Sequence, residues 1–505
     1  MLPSPLLFSY LAAAHLCSSD LLYTYVVFLC SLGLSIVVYR LSPFHPLAQF
    51  PAPTIGKITQ LWTFWKTLQG YKYLYHKSLH DRYGPYVRIG PNAISVIDAP
   101  TVRETLSRGG LEKGRYYEAG RHNSTPPPIV CLSGTPHTDK RRVWNRAMTA
   151  AAIKEYEPLV AKRAREFVAH LRRDQHDSID FVAWVDFFAL DLMGDLAFGG
   201  EFKMMKDGRD ADGLGKQIRW FVKASNVVGQ VPWLISTLQS IPGVDHVVKN
   251  INSFGQNLAK QRIENVAVGT KDLWYHLADE AGIEKTKPTL ENSVADGIVA
   301  IVAASDTVAS TLCSFIWFLL SHRDYYDRLQ TELDSVIADG EDPFDATKHQ
   351  GLNFFSACLK ETLRLHPPLP SNGTRQISHS QPARIIAGKL IPSGTTVSTP
   401  AYSLHRNPEY FPDPDQFWPE RWLQGNEPSL AFLPFSLGPA DCVGQRLAKR
   451  EMSMVLCILF KSFHLEFADE FNAEAWPSGR RDFFVLTRGP LYVKMTPRNV
   501  NTEQL

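Results

Sequence analysis

The sequence predicts a mainly α-helical protein with small β-sheets, tethered to a membrane by one N-terminal helix. Three observations predict it. Leu21 to Tyr39 is a run of 19 residues without a charge. From Pro136 to Leu290 the apolar spacing is mostly helical, broken at glycine and proline signals. Glu291 to Leu320 has no proline and is apolar on nearly all sides, as suits a helix running through the middle of a large core.

Composition narrows the function. Of 505 residues, 44% are hydrophobic and 21% charged, which describes a globular chain with a sizeable core. The net charge of +2 and the lack of an interleaved basic-aromatic patch give no case for nucleic acid as a partner. Seven cysteines are scattered, odd in number and without a Cys-x-x-Cys pair. That argues against a disulfide framework or a structural zinc site and for a reducing compartment.

As a helix, Leu21 to Tyr39 would span roughly 28 Å, close to the hydrocarbon core of a bilayer. No Lys or Arg precedes it, and Arg40, Lys57 and Lys66 follow, so the positive-inside bias places the N-terminus in the lumen and the body in the cytosol. A cleaved signal peptide is the rival reading, but the basic n-region is missing. Pro3 to Leu16 is a second apolar stretch, either interfacial or free. Ser42 to Pro53 is proline-dense and reads as a stiff, extended hinge. The predicted divisions are an anchor at 1–40, a hinge at 41–53 and a catalytic body at 54–505.

Within the body, Leu61 to Asp81 reads as a helix ended near Gly84-Pro85. Tyr86 to Ile89 and Ala93 to Ile97 alternate like strands. Residues 109–135 read as an irregular loop. Trp233 to Leu238 is apolar for a connection, so it either dips into the membrane or is a buried loop. Leu352 to Leu365 is a helix on which Glu361 and Arg364 share a face among apolar neighbours, a buried pair needing further partners. Arg421, in a proline-rich coil, is a third member. Phe483 to Leu486 and Leu491 to Met495 read as a closing hairpin around Arg488-Gly489-Pro490.

Two stretches carry chemistry. Phe435-Ser-Leu-Gly438-Pro-Ala-Asp-Cys442-Val-Gly444 is a turn-rich loop ahead of a helical run from Gln445 to Phe463. Gly438 suits a tight turn, Pro439 stiffens the backbone, and a cysteine at a helix N-terminus is biased towards thiolate. Such a thiolate can serve as an axial ligand to haem iron; an inert structural cysteine is the alternative. In the central helix, Ala303-Ala-Ser-Asp306-Thr307 places an Asp-Thr pair in apolar surroundings. It is either functional or satisfied locally by a salt bridge and a back-bonded hydroxyl.

In this order, these pieces resemble a cytochrome P-450, specifically a fungal membrane-bound member. Phe435, Gly438, Cys442 and Gly444 match Phe-x-x-Gly-x-Arg-x-Cys-x-Gly. Glu361 and Arg364 match Glu-x-x-Arg, with Arg421 as third partner. Ala303, Asp306 and Thr307 fall on the oxygen-binding element. The likeness extends over nearly the whole chain. It departs at Ala440, where the family usually has a cation for a haem propionate, and at Ala304, often Gly. His137, Arg141 and Arg375 match other propionate-binding positions.

The resemblance implies the family's fold, haem b as cofactor with Cys442 as iron ligand, and Asp306 and Thr307 as catalytic residues that relay protons. It implies a monooxygenase of the endoplasmic reticulum membrane acting on a lipophilic small molecule, a terpenoid or polyketide intermediate of secondary metabolism. Electrons would come from NADPH through a flavoprotein reductase, with cytochrome b5 as a second donor, since the chain has no dinucleotide-binding glycine motif of its own. Lys140, Arg141, Arg142, Arg446, Lys449 and Arg450 would dock that reductase. Substrate contacts would come from residues 110–130, 225–243, Val299 to Ala303, Pro368 to Gly373 and the hairpin near Phe484. A haem-binding protein without turnover, or an enzyme of rearrangement or dehydration, are the alternatives; the Asp306-Thr307 pair speaks against both.

Overall fold

Apolar length and exposure separate two long helices in the computed structural model, which describes residues 18–120, 125–173, 178–200, 202–241, 246–265, 270–423, 425 and 430–498. Helix α1 (Ser18–Leu41) has no buried residue across its apolar window, whose mean hydropathy is 2.0, and it fits a membrane anchor. The long central helix is nearly as apolar, at 1.7, yet 61% buried, and so belongs to the core. The apolar stretch Pro3 to Leu16 lies outside the described residues.

The proline-dense stretch after α1 is not the extended linker expected. It folds into consecutive turns, His45 N–H to Ser42 O at 3.2 Å and Ala48 N–H to His45 O at 2.8 Å. Leu47 and Phe50 are buried in the same core cluster as the main sheet. Burying those two side chains stabilises a compact path over an extended one. The predicted helix from Leu61 is two helices, α2 (Leu61–Leu68) and α3 (Lys72–Tyr83). Between them Gly70 has φ +76°, and a Cβ there would meet Arg481 Cβ at 2.6 Å.

Next come β1 (Tyr86–Gly90), β2 (Ala93–Val96), α4 (Ala99–Leu106) and the two-residue strand β3 (Glu112–Lys113). The described residues between β3 and Gly134 are otherwise irregular apart from 3-10 turns at Arg115–Gly120 and Ile129–Cys131. Helices α5 (Gly134–Ala147) and α6 (Ala150–Arg173) lead through β4 (Ile179–Asp180) into α7 (Phe181–Phe198), which ends at Gly199 as the glycine pair predicts. Helix α8 (Leu214–Gly229) precedes a 3-10 helix at Pro232–Leu234 and a short α-helix at Ile235–Gln239; Trp233 is 66% exposed, so that stretch is a helical surface segment rather than a buried loop.

Helix α9 (Leu290–Ser321) is the central helix, about 48 Å at 1.5 Å per residue, packed along α7. Helix α10 (Asn353–Leu365), β5 (Arg375–Gln376) and β6 (Thr396–Ser398) follow, then α11 (Gln445–Ser462), β7 (Phe463–Phe467), β8 (Arg481–Phe483), β9 (Val485–Thr487) and β10 (Tyr492–Pro497). The main sheet has the order β1-β2-β6-β5-β3, with β2 and β6 parallel.

The chain closes differently from the expected hairpin. β8 pairs with β9 around Phe484, whereas β10 pairs with β7 and β4. Arg488-Gly489-Pro490 therefore connects two separate sheets. Alternation revealed the strands but not their partners, which long-range packing selects.

Arg88 of β1 ties the anchor to the body. It is fully buried and donates to Arg40 O and His45 Nε2, both at 3.2 Å, to Pro91 O at 3.0 Å and to Lys57 O at 3.4 Å. Arg40 in turn donates to Ile58 O at 2.6 Å. Arg88→Leu, which strands those buried acceptors, is expected to cost about 3 kcal/mol. Thermal unfolding should show a fall of a few degrees, and proteolysis between residues 41 and 60 should quicken.

Candidate functional site

The framework of the site is a buried carboxylate. Glu361 of α10 receives both arms of Arg364, Nε to Oε2 and Nη2 to Oε1, each at 2.8 Å. Arg421 Nε reaches Oε1 at 3.1 Å, Trp418 N–H at 2.9 Å, and Trp422 Nε1 bonds Oε2 at 2.9 Å. The remaining arginine donors face outward. Arg364 bonds His405 O and Gln416 O at 2.9 Å, and Arg421 bonds Pro412 O at 2.9 Å. An otherwise irregular coil is thus held by charge-assisted bonds in a dry interior, where they are strongest.

The cysteine loop packs beside this coil. Ser436 and Gly438 have φ 60° and 79°. A Cβ on Gly438 would lie 2.1 Å from Leu106 O at the end of α4, so only glycine permits this approach. Cys442 N–H bonds Phe435 O at 2.9 Å and closes the loop; Gly444 is the N-cap of α11. Arg141 of α5 clamps the loop from outside, donating to Asp441 O at 2.7 Å and forming an ion pair with the Asp441 carboxylate.

Cys442 is reachable by solvent yet closely surrounded, the condition of a sulfur at the floor of a recess. Its electrostatics correct the expected thiolate bias. Burial pushes the thiol pKa up, and the Gly444 N–H and Arg141 offset this only in part. A helix N-terminus stabilises negative charge by a modest amount. In a site this dry, desolvation outweighs it, and a thiolate here requires a cation or metal on the open side.

Near the loop lies a cluster of cations that the sequence only partly disclosed. Lys113 of β3 stands directly opposite Arg375 of β5 in the sheet register. Like charges in facing positions destabilise a strand pair unless an anion lies between them. Burial, with Arg375 and Arg141 beside it, holds the Lys113 ammonium down to about 7. Burial, then Lys113, Arg141 and Arg375, holds His137 of α5 down to about 4. Among the groups that perturb Lys113 and His137 there is no carboxylate. Lys113 was missed because a two-residue strand carries no periodic signal.

On α9 the two singled-out residues face different partners. Thr307 Oγ1 donates to Ala303 O at 2.8 Å, the back-bonded geometry. Ala303 is exposed in mid-helix, so this face borders open space. Asp306 is turned towards Asp186 of α7, Arg219 of α8 and Arg488; burial first, then Asp186, raises its pKa. Arg488 pairs with Asp186, and Arg219 reaches Asp186 at 3.4 Å.

Most of the basic residues expected to dock a partner are committed internally. Lys140 pairs with Asp296 at 3.0 Å, Arg142 with Glu284 at 2.6 Å and Arg450 with Glu157 at 2.5 Å. Arg141 is bound to Asp441. Arg446 and Lys449 are exposed, and Lys449 sits over the Phe435 ring at 5.4 Å.

The donor set fits an iron porphyrin. One recessed thiol faces open space, and Lys113, Arg375 and His137 form an acid-free cluster suited to two carboxylates. Positive charge there comes from Lys113 of β3 and Arg375 of β5, with His137 of α5 as an uncharged imidazole beside them, while Ala440 offers none.

Comparison with known proteins agrees. A family model described as "Cytochrome P450" matches residues 47–495. A protein named "Cytochrome P450 monooxygenase orf5", from Eupenicillium brefeldianum, is 31% identical over 93% of this chain and 95% of its own length. Tryprostatin B 6-hydroxylase of Aspergillus fumigatus is 28% identical, covering 96% of this chain and 87% of its own. Averantin hydroxylase of Dothistroma septosporum is 27% identical, covering 95% and 93%.

Two predictions follow from the framework and the cation cluster. Glu361→Gln leaves two buried guanidinium groups unpaired and should destabilise the fold by about 3–5 kcal/mol, measured by thermal unfolding. For Lys113, bound carboxylates favour the ammonium, so its pKa rises on binding from about 7 in the ligand-free protein. Protoporphyrin binding should then take up a proton above that pH and weaken as pH rises towards 10, by up to about tenfold per unit. In Lys113→Met this dependence should vanish, read by porphyrin fluorescence.

Proposed function

Because the chain belongs to the cytochrome P-450 family and is a monooxygenase of that family, we propose that it is a membrane-anchored haem-thiolate enzyme oxidising a lipophilic intermediate of secondary metabolism. The observation that carries the cofactor assignment is the pairing of the recessed Cys442 thiol with the acid-free cluster of Lys113, His137 and Arg375. Cys442 is the iron ligand. Phe435, Gly438 and Gly444 shape its loop, and Arg141 fixes that loop through Asp441. Lys113, Arg375 and His137 hold the propionates in place of a cation at position 440. The choice of substrate class is supported by relatives named for hydroxylating tryprostatin B and averantin.

Bound haem supplies activation of molecular oxygen and its insertion into a C–H bond. The chain's residues do the rest. Rotation of Thr307 Oγ1 away from Ala303 O frees its proton for a ligand on the open face of α9. Asp306, with its carboxyl pKa raised by burial, passes a proton inward from the Asp186–Arg488–Arg219 group. The apolar walls position the substrate and limit water.

Electrons come from NADPH through a flavoprotein reductase, with cytochrome b5 as a second donor. The exposed Arg446, with Lys449 beside it on α11, offers positive charge for docking. On this reading the N-terminal helix is an anchor in the endoplasmic reticulum membrane with the body in the cytosol; its apolar, fully exposed window supports the anchor.

The deciding experiment is a carbon monoxide difference spectrum of reduced membranes. A thiolate-type Soret band is expected, and Cys442→Ala should abolish it; its absence from the unaltered protein would defeat the assignment. Thr307→Ala should keep the band while product formed per NADPH falls by about tenfold or more as peroxide accumulates.

A further inference from the structure

Helix α2 is built inside out. Its two threonines are buried: Thr63 Oγ1 donates to Ile89 O of β1 at 3.1 Å, and Thr67 Oγ1 to Thr63 O at 2.8 Å. On the opposite face, at i, i+4 and i+7, Leu61, Trp65 and Leu68 are 56%, 49% and 41% exposed. A helix on a water-facing surface shows the reverse arrangement, with the apolar stripe inward. The outer face of α2 therefore suits a medium other than water.

The position of the helix says which medium. Arg40, in the last turn of α1, donates to Ile58 O at 2.6 Å, and Arg88 joins Arg40 O to Lys57 O. Leu61 is three residues past Ile58, so even a fully extended chain keeps it within roughly 10 Å of that contact. α2 itself is about 12 Å long. Its outer face thus begins beside the base of the membrane helix, and the residues between the two helices include Phe44, 88% exposed, and the exposed Ile55. A protein docking here would have to share this space with the bilayer that holds α1.

Charge agrees with a lipid surface. From Leu21 to His80 the chain contains no Asp or Glu, while Arg40, Lys57 and Lys66 are present. Lys66 Nζ lies 5.1 Å from the centre of the Trp62 ring, so ammonium and indole sit side by side on α2. Lysine reaching for phosphates, tryptophan at the headgroup level and leucine beneath them are the parts of an interfacial helix.

We propose that α2 is a second membrane contact, lying along the bilayer with Leu61, Trp65 and Leu68 in the boundary between headgroups and acyl chains. The body is then held at two places, by α1 through the bilayer and by α2 on its surface, which fixes a tilt that one tether leaves free. This rests on α1 being the anchor, and the test separates the two.

None of the 11 tryptophans lies in α1, so quenching of tryptophan fluorescence by lipid reports the body alone. Trp65, Trp220 and Trp233 are the exposed ones. The full-length holoprotein is reconstituted into phosphatidylcholine vesicles brominated either near the headgroup end of the acyl chain or near its methyl end. The shallow bromines should quench more than the deep ones, and Trp65→Phe should remove at least the equal share of one exposed tryptophan among these. Leu61→Gln combined with Leu68→Gln, at two exposed positions, should lower the shallow quenching with Trp65 still in place. Quenching that is unchanged in both variants overturns the proposal. So does an unaltered protein that stays with the vesicles but is not quenched, the result expected if a second copy of the chain covered α2. Vesicles that float free of the unaltered protein would instead defeat the reading of α1 as an anchor.

Discussion

The structure depends on how a single carboxylate is solvated without water. Glu361 has no exposed surface, and five donors from Arg364, Arg421, Trp418 and Trp422 take the place of its hydration shell. An ion in a dry core is tolerated only when its lone pairs are filled. Here the groups that fill them come from α10 and from a proline-rich coil some sixty residues later. Satisfying the charge therefore fixes the coil. The coil leads into the cysteine loop, whose own closure rests on Phe435 O and on Arg141. The network's value is positional: replacing it with apolar side chains would leave the coil with little to hold it.

Much of this was legible because the relevant signals are local. Glu361 and Arg364 are three residues apart on an apolar helix, so their pairing can be read directly from spacing. The central helix is evident from its length and apolarity, and the turn residues mark the cysteine loop. Lys113 was invisible for the opposite reason. Its importance comes from facing Arg375 across a sheet, and a register between segments more than 250 residues apart leaves no trace in either. The mispaired final strands failed in the same way, as did the hinge, where proline density suggested extension but two buried side chains, Leu47 and Phe50, enforce turns.

The charge on Cys442 shows how a correct local rule can lose to a larger effect. A helix N-terminus favours thiolate, but the surrounding protein withdraws more solvation than the helix end returns. The sulfur thus starts from a raised pKa, just as Lys113 and Arg375 face each other with like charges across the sheet. On the proposed haem-thiolate reading, one cofactor would answer both the thiol and the cation pair, and its binding would be coupled to local stability.

Arg88 carries a final consequence. Its acceptors lie on both sides of residue 53, at Arg40 and His45 before it and at Lys57 and Pro91 after it. The composition change near residue 53 is thus not where the folding unit begins. A protein cut there to obtain a soluble form would discard two partners of a buried cation together with Leu47 and Phe50. The smallest piece that keeps this corner of the sheet intact starts at the base of the membrane helix, where lipid gives way to water.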